Sequence, residues 1–307
     1  ISEDKELTFT PTLNYGGGVD SSQRFLFEYN QLISGGSLST NLSVDTKFEE
    51  QNNNKWLTDA SLITSFQKKI NPKYSIDFES ALETSKNYIQ STNPNNNLSY
   101  TSSLATKVNL KGYNLRKIDD KLLINFSTYQ TNQNEDDNSS VPIILPFINY
   151  NSGIYNYDQI NFENKYEFYN IFRDKKTKDY SKEQQKISHN IIFSKKYIDF
   201  KSNIIFEGQL FNQFFNTIKK DVKDNQIYSG NVIRSFPIIG IKTETPFKLK
   251  KNLLDFTYKP NFSLILSPGI SNSEKISNED SSLHTYSANN EKSLNRYTGS
   301  DKLDNSK

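Results

Sequence analysis

The chain is 307 residues long, carries a formal net charge of +2 and contains no cysteine. The near balance of 37 basic and 35 acidic residues argues against a dedicated nucleic-acid-binding protein, which should carry a concentrated basic stripe. The lack of cysteine excludes disulfides, thiolate metal sites and cysteine nucleophiles from this chain. Because the chain starts at Ile1 and contains no methionine, we expect it to be part of a longer protein.

Hydropathy and aromatic content point to strands. Hydrophobic residues make up only 34% of the chain, and the mean hydropathy is −0.73. No window approaches about 18 uninterrupted apolar residues, so no transmembrane helix is predicted. Aromatic residues nevertheless reach 13%. This combination is typical of a protein whose apolar residues occupy alternate strand positions, and a soluble β-protein would satisfy the same numbers.

Alternation of apolar and polar residues begins in the first segment. In residues 5–15, Leu7, Phe9 and Leu13 share one strand face, and threonines take the other. Pro11 interrupts the ladder because it has no N–H, which predicts an edge strand or a locally weakened pairing. Further strands are predicted over 24–32, 38–44, 55–66, 74–83, 98–110, 121–130, 141–150, 159–172, 186–194, 197–211, 227–235, 237–249 and 253–266.

The spacing of these strands predicts the fold class. No segment predicts a convincing amphipathic helix, so we expect one domain of roughly 14 strands over residues 1–307. Short turns alternate with longer polar segments at 133–140, 174–183 and 270–302. We interpret this asymmetry as an all-β, antiparallel transmembrane β-barrel. The alternative is a soluble β-sandwich or β-solenoid, in which the apolar parity forms the core.

The last part of the chain differs from the rest. Its final strand carries Phe256, Tyr258, Phe262, Leu264 and Leu266 on one face and stops at residues 267–269. The residues that follow have no strand or helix period, and a loop of this length is usually functional or disordered. It contains the run I-S-N-E-D-S at 276–281 and the run L-N-R-Y-T-G-S-D-K at 294–302.

These two linked runs resemble a signature of the LptD family of lipopolysaccharide-assembly outer-membrane proteins, also called organic solvent tolerance proteins. Ser277 stands where the family usually has proline, and Lys302 where it usually has arginine. Pro11 resembles the proline near the family's lateral gate. The resemblance marks eight loop positions as functional candidates: Asn278, Glu279, Asp280, Ser281, Asn295, Arg296, Gly299 and Asp301.

The resemblance also implies a function. The chain would be part of a barrel of about 26 strands. The family's N-terminal periplasmic jellyroll domain and its later barrel strands would be missing from this chain. Such a barrel is no enzyme: it receives lipopolysaccharide (LPS) from a periplasmic LptA-like bridge and releases it into the outer leaflet. It would need an LptE-like plug lipoprotein, contact outer-membrane lipid, and lie in the outer membrane of a Gram-negative bacterium. A passive porin-like or adhesin-like β-protein would explain the alternation but not the paired loop runs or the strand proline.

Motifs for other chemistry are missing from the sequence. No catalytic, phosphate-loop or dinucleotide-binding motif occurs, so neither an enzyme activity nor a cofactor is predicted. The two histidines, His189 and His284, have no metal-like spacing, and we interpret His189 as a strand-face residue. The acidic run 135–137 lacks the spacing of a calcium loop, so no metal site is predicted.

Overall fold

The computed structural model describes residues 3–14, 22–49, 55–132, 137–199, 202–223, 226–251, 254–282 and 293–304. Within these ranges every strand pair of known register is antiparallel, and the helices are one five-residue α-helix and two short 3₁₀ turns. None of the helices in these ranges is long and apolar enough to cross a membrane. The predicted all-β, antiparallel class is therefore confirmed.

Fifteen strands follow one another within the described ranges. They are β1 (Lys5–Asn14), β2 (Ser22–Ile33), β3 (Gly36–Glu49), β4 (Lys55–Lys69), β5 (Tyr74–Glu83), β6 (Ser103–Tyr113), β7 (Lys121–Thr131), β8 (Ile143–Tyr157), β9 (Ile160–Phe172), β10 (Glu183–Asp199), β11 (Ser202–Asp221), β12 (Ile227–Glu244), β13 (Phe247–Lys251), β14 (Leu254–Tyr258) and β15 (Asn261–Leu266). The helix α1 spans Tyr88–Thr92, and the 3₁₀ turns span Asn97–Tyr100 and Asn138–Ser140.

The chain divides into two compact units, and unit 1 comprises residues 1–113, 122–147 and 173–175. Strands β1 to β6 of this unit pair in chain order. An insert between β5 and β6 carries α1 and packs Ile89 and Leu98 beside Ala81 and Leu104. Pro11 lies in the edge strand β1 opposite Phe25, and the register to β2 is unbroken over the whole strand.

Unit 2 comprises residues 114–121, 148–172 and 176–307. Here β9 to β12 pair in chain order, and β12 also pairs with β15. Short connections after β8 and β10 alternate with longer ones after β9, β11 and β15. The hairpin β13–β14 continues the β12–β15 register, because Glu244 lies opposite Asn261 and Phe247 lies opposite Tyr258.

The two faces of the unit 2 sheet have opposite character. Apolar residues such as Ile187 and Ile233 are exposed, the latter at 81%. On the other parity, Gln184, Lys186 and Thr217 are completely buried. A soluble sandwich would bury the apolar parity. This arrangement contradicts that alternative and fits a membrane sheet whose apolar face contacts lipid.

Several predicted strand boundaries were wrong. Leu98 and Tyr100 lie in a 3₁₀ turn rather than a strand, because the Asn96 side chain accepts a hydrogen bond from the N–H of Leu98 and caps that turn. The predicted break at 195–196 is absent, since β10 continues to Asp199.

Prolines explain the other boundary errors. The predicted break before Pro237 is absent, because Pro237 pairs with Leu210 in an unbroken stretch of the β11–β12 register. On its other side, β12 pairs with β15 only from Ile239 onward. Pro237 therefore has no partner in β15 that would require a backbone N–H from it. The last predicted strand, in contrast, is split at Pro260 into β14 and β15.

Candidate functional site

The loop after β15 folds back onto the polar face of unit 2. We call its two segments, 276–281 and 294–304, the clasp. An apolar cluster anchors the clasp to the sheet; its members are Phe211, Phe236, Ile238, Ile265, Leu294 and Leu303. Leu303 is fully buried in this cluster. Burying a leucine side chain contributes about 1.5–3 kcal/mol, so the anchor supplies a substantial part of the docking free energy.

Two aspartates join the segments of the clasp reciprocally. One carboxylate oxygen of Asp280 accepts the backbone N–H groups of Ser300 and Asp301 at 3.1 and 2.9 Å. One carboxylate oxygen of Asp301 accepts the N–H groups of Glu279 and Asp280 at 2.8 and 3.1 Å. Hydrogen bonds to a charged acceptor are stronger than neutral ones. Each segment therefore holds the backbone of the other.

A buried lysine connects this pair to the sheet. The Lys186 side chain is completely buried, and its Nζ lies 2.6 Å from Glu167 Oε1, 2.6 Å from Asp280 Oδ2 and 2.9 Å from Asp301 Oδ1. The Tyr169 hydroxyl donates to both oxygens of Asp301 at 2.8 and 2.9 Å. Removing one partner of a buried ion pair costs about 3–5 kcal/mol, so Lys186 is a principal attachment point of the clasp.

Arg234 on β12 binds the backbone of the second segment. Its guanidinium donates to the carbonyl oxygens of Asp301, at 3.0 Å, and of Ser300. Its Nε also donates to Gln213 Oε1 at 2.8 Å, and the amide of Gln213 donates to the Ser300 carbonyl at 3.0 Å. The planar guanidinium thus fixes two consecutive carbonyl groups against the sheet.

Gln184 on β10 binds the first segment as a backbone strand would. The Ser277 N–H donates to Gln184 Oε1 at 2.7 Å, and Gln184 Nε2 donates to the Ser277 carbonyl at 2.7 Å. The Ser277 hydroxyl donates to Glu279 Oε1 at 2.6 Å and accepts the N–H of Ser181. A proline at position 277 would have neither this N–H nor this hydroxyl, so the local contacts account for the departure from the family's usual residue.

Local side-chain hydrogen bonds shape the first segment. Asn278 Oδ1 accepts the N–H of Ser281 at 3.1 Å, which is the turn geometry that asparagine favours. The Ser281 hydroxyl donates to Asp280 Oδ1 at 2.5 Å and accepts the N–H of Lys302 at 3.0 Å. These contacts orient the Asp280 carboxylate toward the second segment.

The second segment is held by its own polar contacts. Asn295 Oδ1 accepts the N–H of Asp304 at 3.0 Å. Arg296 makes a two-pronged ion pair with the buried Asp304, at 2.5 Å from Nε and 3.3 Å from Nη2. At Gly299, an added Cβ would lie 2.3 Å from the Cγ and Oδ1 atoms of Asp280. Only glycine allows the two segments to approach this closely.

Burial and charge separate the pKa values of the two aspartates. Burial raises the pKa of Asp301 to about 6, because it outweighs the attraction of Lys186. Burial also acts to raise the pKa of Asp280, but Lys186 and the hydrogen bonds from Ser281 and Asp301 together hold it below its ordinary value. A proton added to this pair is therefore expected on Asp301.

All eight predicted loop residues lie in the clasp, whereas Pro11 belongs to unit 1 and has no part in it. Sequence reasoning did not predict that Lys186, Gln184, Tyr169 or Gln213 binds the loop, or that Glu167 pairs with Lys186. The only sequence signal for these residues is their position on the polar parity of their strands. Gln184 and Lys186 lie more than 90 residues from their partners in the loop.

Metal binding finds no support in these carboxylates. Within the described ranges no group of three or more His, Cys, Asp or Glu residues is arranged to hold a metal ion. The carboxylates of Glu167, Asp280 and Asp301 converge on the Lys186 ammonium instead. His284 and residues 135–136 lie outside the described residues.

An antiparallel sheet with an exposed apolar face, and a polar face covered by its own loop, defines a transmembrane β-barrel class with an infolded loop. Residues 38–307 match the family described as LptD: LPS transport system D, and the chain belongs to that family. The family membership predicted from the sequence is thereby confirmed. A comparison with curated proteins gives no match.

Proposed function

We propose that the chain is the early part of the barrel of an LPS translocon, which inserts LPS into the outer leaflet of a Gram-negative outer membrane. The full barrel would have about 26 strands, with a periplasmic jellyroll domain before it. Membership of the LptD family, a family of LPS transport, supports the substrate. The observation that carries the proposal is the clasp, which covers the polar face of unit 2 with buried ion pairs.

The chemistry of LPS explains why such a cover is useful. The molecule has a large polar saccharide and several acyl chains, so its route needs a polar wall for the sugar and an opening for the chains. The polar parity of the strands supplies that wall. A passive pore would expose its polar wall to water permanently. A loop attached through Lys186 and Arg234 instead closes the wall unless the loop moves.

The other partners follow from the same proposal. LPS reaches the barrel from an LptA-like periplasmic bridge, an LptE-like lipoprotein plugs the barrel, and lipid contacts the exposed apolar face. Pro11 is the lateral-gate candidate because it lies in the edge strand β1, where a residue without an N–H weakens pairing to a further strand. The barrel makes and breaks no covalent bond during this transport, so the proposed function is not that of an enzyme.

Deletion of residues 277–282 in the full-length protein tests the role of the clasp. We expect impaired barrel assembly or increased entry of bulky antibiotics, because Asp280 and its contacts are lost. Lys195→Met serves as the control, since Lys195 is on the opposite parity of β10 from Lys186. Normal folding with unchanged antibiotic sensitivity and unchanged surface LPS would contradict the proposal.

A further inference from the structure

A row of polar side chains crosses the largely apolar, exposed face of unit 2. In the strand registers His189 lies opposite Tyr166 on β9 and Asn212 on β11, and Asn212 lies opposite Ser235 on β12. Asn164 lies two residues from Tyr166 on β9 and shares the same face. We call these five residues the polar belt. They share their parity with the exposed Ile187 and Ile233, so the belt lies on the face opposite the clasp.

The belt is partly ordered by its own contacts. His189 Nε2 lies 3.0 Å from Asn164 Oδ1, and the His189 ring stacks on Tyr166 with centroids 4.5 Å apart. The Ser235 hydroxyl donates to Asn212 Oδ1 at 2.9 Å. Within the described ranges, no hydrogen bond involves the side-chain amide nitrogens of Asn164 and Asn212 or the Tyr166 hydroxyl. The belt therefore retains donors on a face that contacts lipid, where an unpaired donor is unfavourable.

The belt lies near one edge of the apolar band. Ile187 lies two residues from His189, and Tyr197 lies eight residues away in the other direction on β10. The ten residue-to-residue steps from Ile187 to Tyr197 span roughly 34 Å along the strand, or about 26 Å of height at a tilt of about 40°. This matches the apolar band of about 25 Å in outer-membrane barrels. The belt is then about 5 Å inside the edge nearest the long connections.

The opposite edge has a different composition. On the strand faces that contact lipid, the rows near the short connections contain Phe206 opposite Ile241, and Ile204 on the next row. Tyr197 packs edge-on against Phe206, with centroids 5.6 Å apart. The belt has no amide counterpart at this edge. That edge carries Lys195 opposite Phe206 and Thr243 opposite Ile204, but the row of side-chain amides lies only at the edge beside the long connections. The proposed function places that edge in the outer leaflet.

We propose that the polar belt binds the acyl-linkage region of the outer-leaflet glycolipid, LPS. In this region amide and ester carbonyls, together with acyl-chain hydroxyls, lie just beneath the sugar. The free donors of Asn164, Asn212 and Tyr166 match those carbonyl acceptors. The belt crosses four strands, a width of about 14 Å, which suits a lipid with several acyl linkages side by side better than a phospholipid with two. The inference rests on the proposed orientation in the membrane.

Lipid retention by the full-length protein, purified with its plug partner, tests this site. The triple variant Asn164→Leu, Tyr166→Phe, Asn212→Leu is compared with Thr243→Val, a change on the same face near the other edge. After a fixed detergent wash, we expect the triple variant to retain at least about five-fold less LPS by mass spectrometry, with phospholipid retention unchanged. The Thr243→Val control should retain LPS like the wild type.

Equal LPS retention by the triple variant, or equal losses of LPS and phospholipid, would overturn the proposal. A photoreactive residue at Ile191, on the same face beside the belt, provides a measurement that keeps every belt side chain. Adducts with LPS support the site, and adducts with phospholipid alone contradict it. Surface LPS is measured separately: normal export by the triple variant shows that the belt is a wall site and leaves the proposed transport function intact.

Discussion

Replacing Gly299 by alanine should break the clasp with a single methyl group. The added Cβ would lie 2.3 Å from Asp280 Cγ and 2.5 Å from the Asp280 backbone oxygen. Carbon and oxygen atoms do not approach this closely without bonding, and the backbone oxygen is not the end of a flexible side chain. The Asp280 segment must therefore move away from the second segment.

The contacts that this movement breaks determine how much docking free energy the clasp loses. Asp280 would lose the N–H groups of Ser300 and Asp301, at 3.1 and 2.9 Å. Hydrogen bonds to charged groups contribute about 1.5–3 kcal/mol each. Allowing for partial relaxation, we expect docking of the clasp to weaken by about 3 kcal/mol, or roughly 100-fold in the docking equilibrium.

Hydrogen exchange measures this effect directly. The backbone amides of Ser300 and Asp301 should lose most of their protection in Gly299→Ala, measured on the full-length protein with its plug partner in detergent. Gly269→Ala is the matched control in the same loop. Gly269 has φ of +69° and no atom within 4 Å of an added Cβ, so only backbone strain of about 1–2 kcal/mol is expected there. Equal protection in both variants, or unchanged protection in Gly299→Ala, would contradict the predicted clash between residue 299 and Asp280.

Three further predictions concern the same cluster. Lys186→Met leaves three carboxylates without their cation and should weaken docking by about 3–5 kcal/mol in the exchange experiment, while Lys195→Met on the opposite face should not. Ser277→Pro introduces the residue usual in the family, but should raise protease sensitivity of the loop, because a buried glutamine loses its donor at 2.7 Å; wild-type sensitivity would argue against that contact. Because the pKa of Asp301 is raised to about 6, its ionisation opposes docking above that pH, and the penalty disappears as pH falls toward its ordinary value near 3.8. Exchange protection, corrected for the pH dependence of intrinsic amide exchange, should therefore increase as the pH is lowered from 7 to 5. If Asp301→Asn kept the wild-type pH dependence, Asp301 would not be the group responsible.

The sequence allows the strand faces to be predicted because a period of two is local. Phe256, Phe262 and Leu266 are exposed together, as their shared parity implies. The same rule failed at Leu98 and Tyr100, where apolar spacing continues into a capped 3₁₀ turn. It also failed where Lys195 and Lys196 suggest a turn, because the strand continues through both to Asp199.

The clasp could be predicted only in part. The loop runs identify Asp280, Gly299 and Asp301, because these residues stand in short motifs. Their attachment to the sheet depends on Lys186 and Gln184, which lie more than 90 residues away and meet the loop only through the registers of separate strands. No local pattern distinguishes a lysine that binds three carboxylates from one that faces water.

Photocrosslinking in cells tests the proposed transport most directly. Thr10 lies beside Pro11 and lines a cavity of about 210 Å³ on the polar face of unit 1, and Ile204 lies on the lipid-facing parity of unit 2 near the short connections. With photoreactive residues at these positions in the full-length protein, we expect LPS adducts at position 10 and phospholipid adducts at position 204. Adducts with phospholipid alone at both positions would leave a membrane barrel and contradict the proposal that it transports LPS.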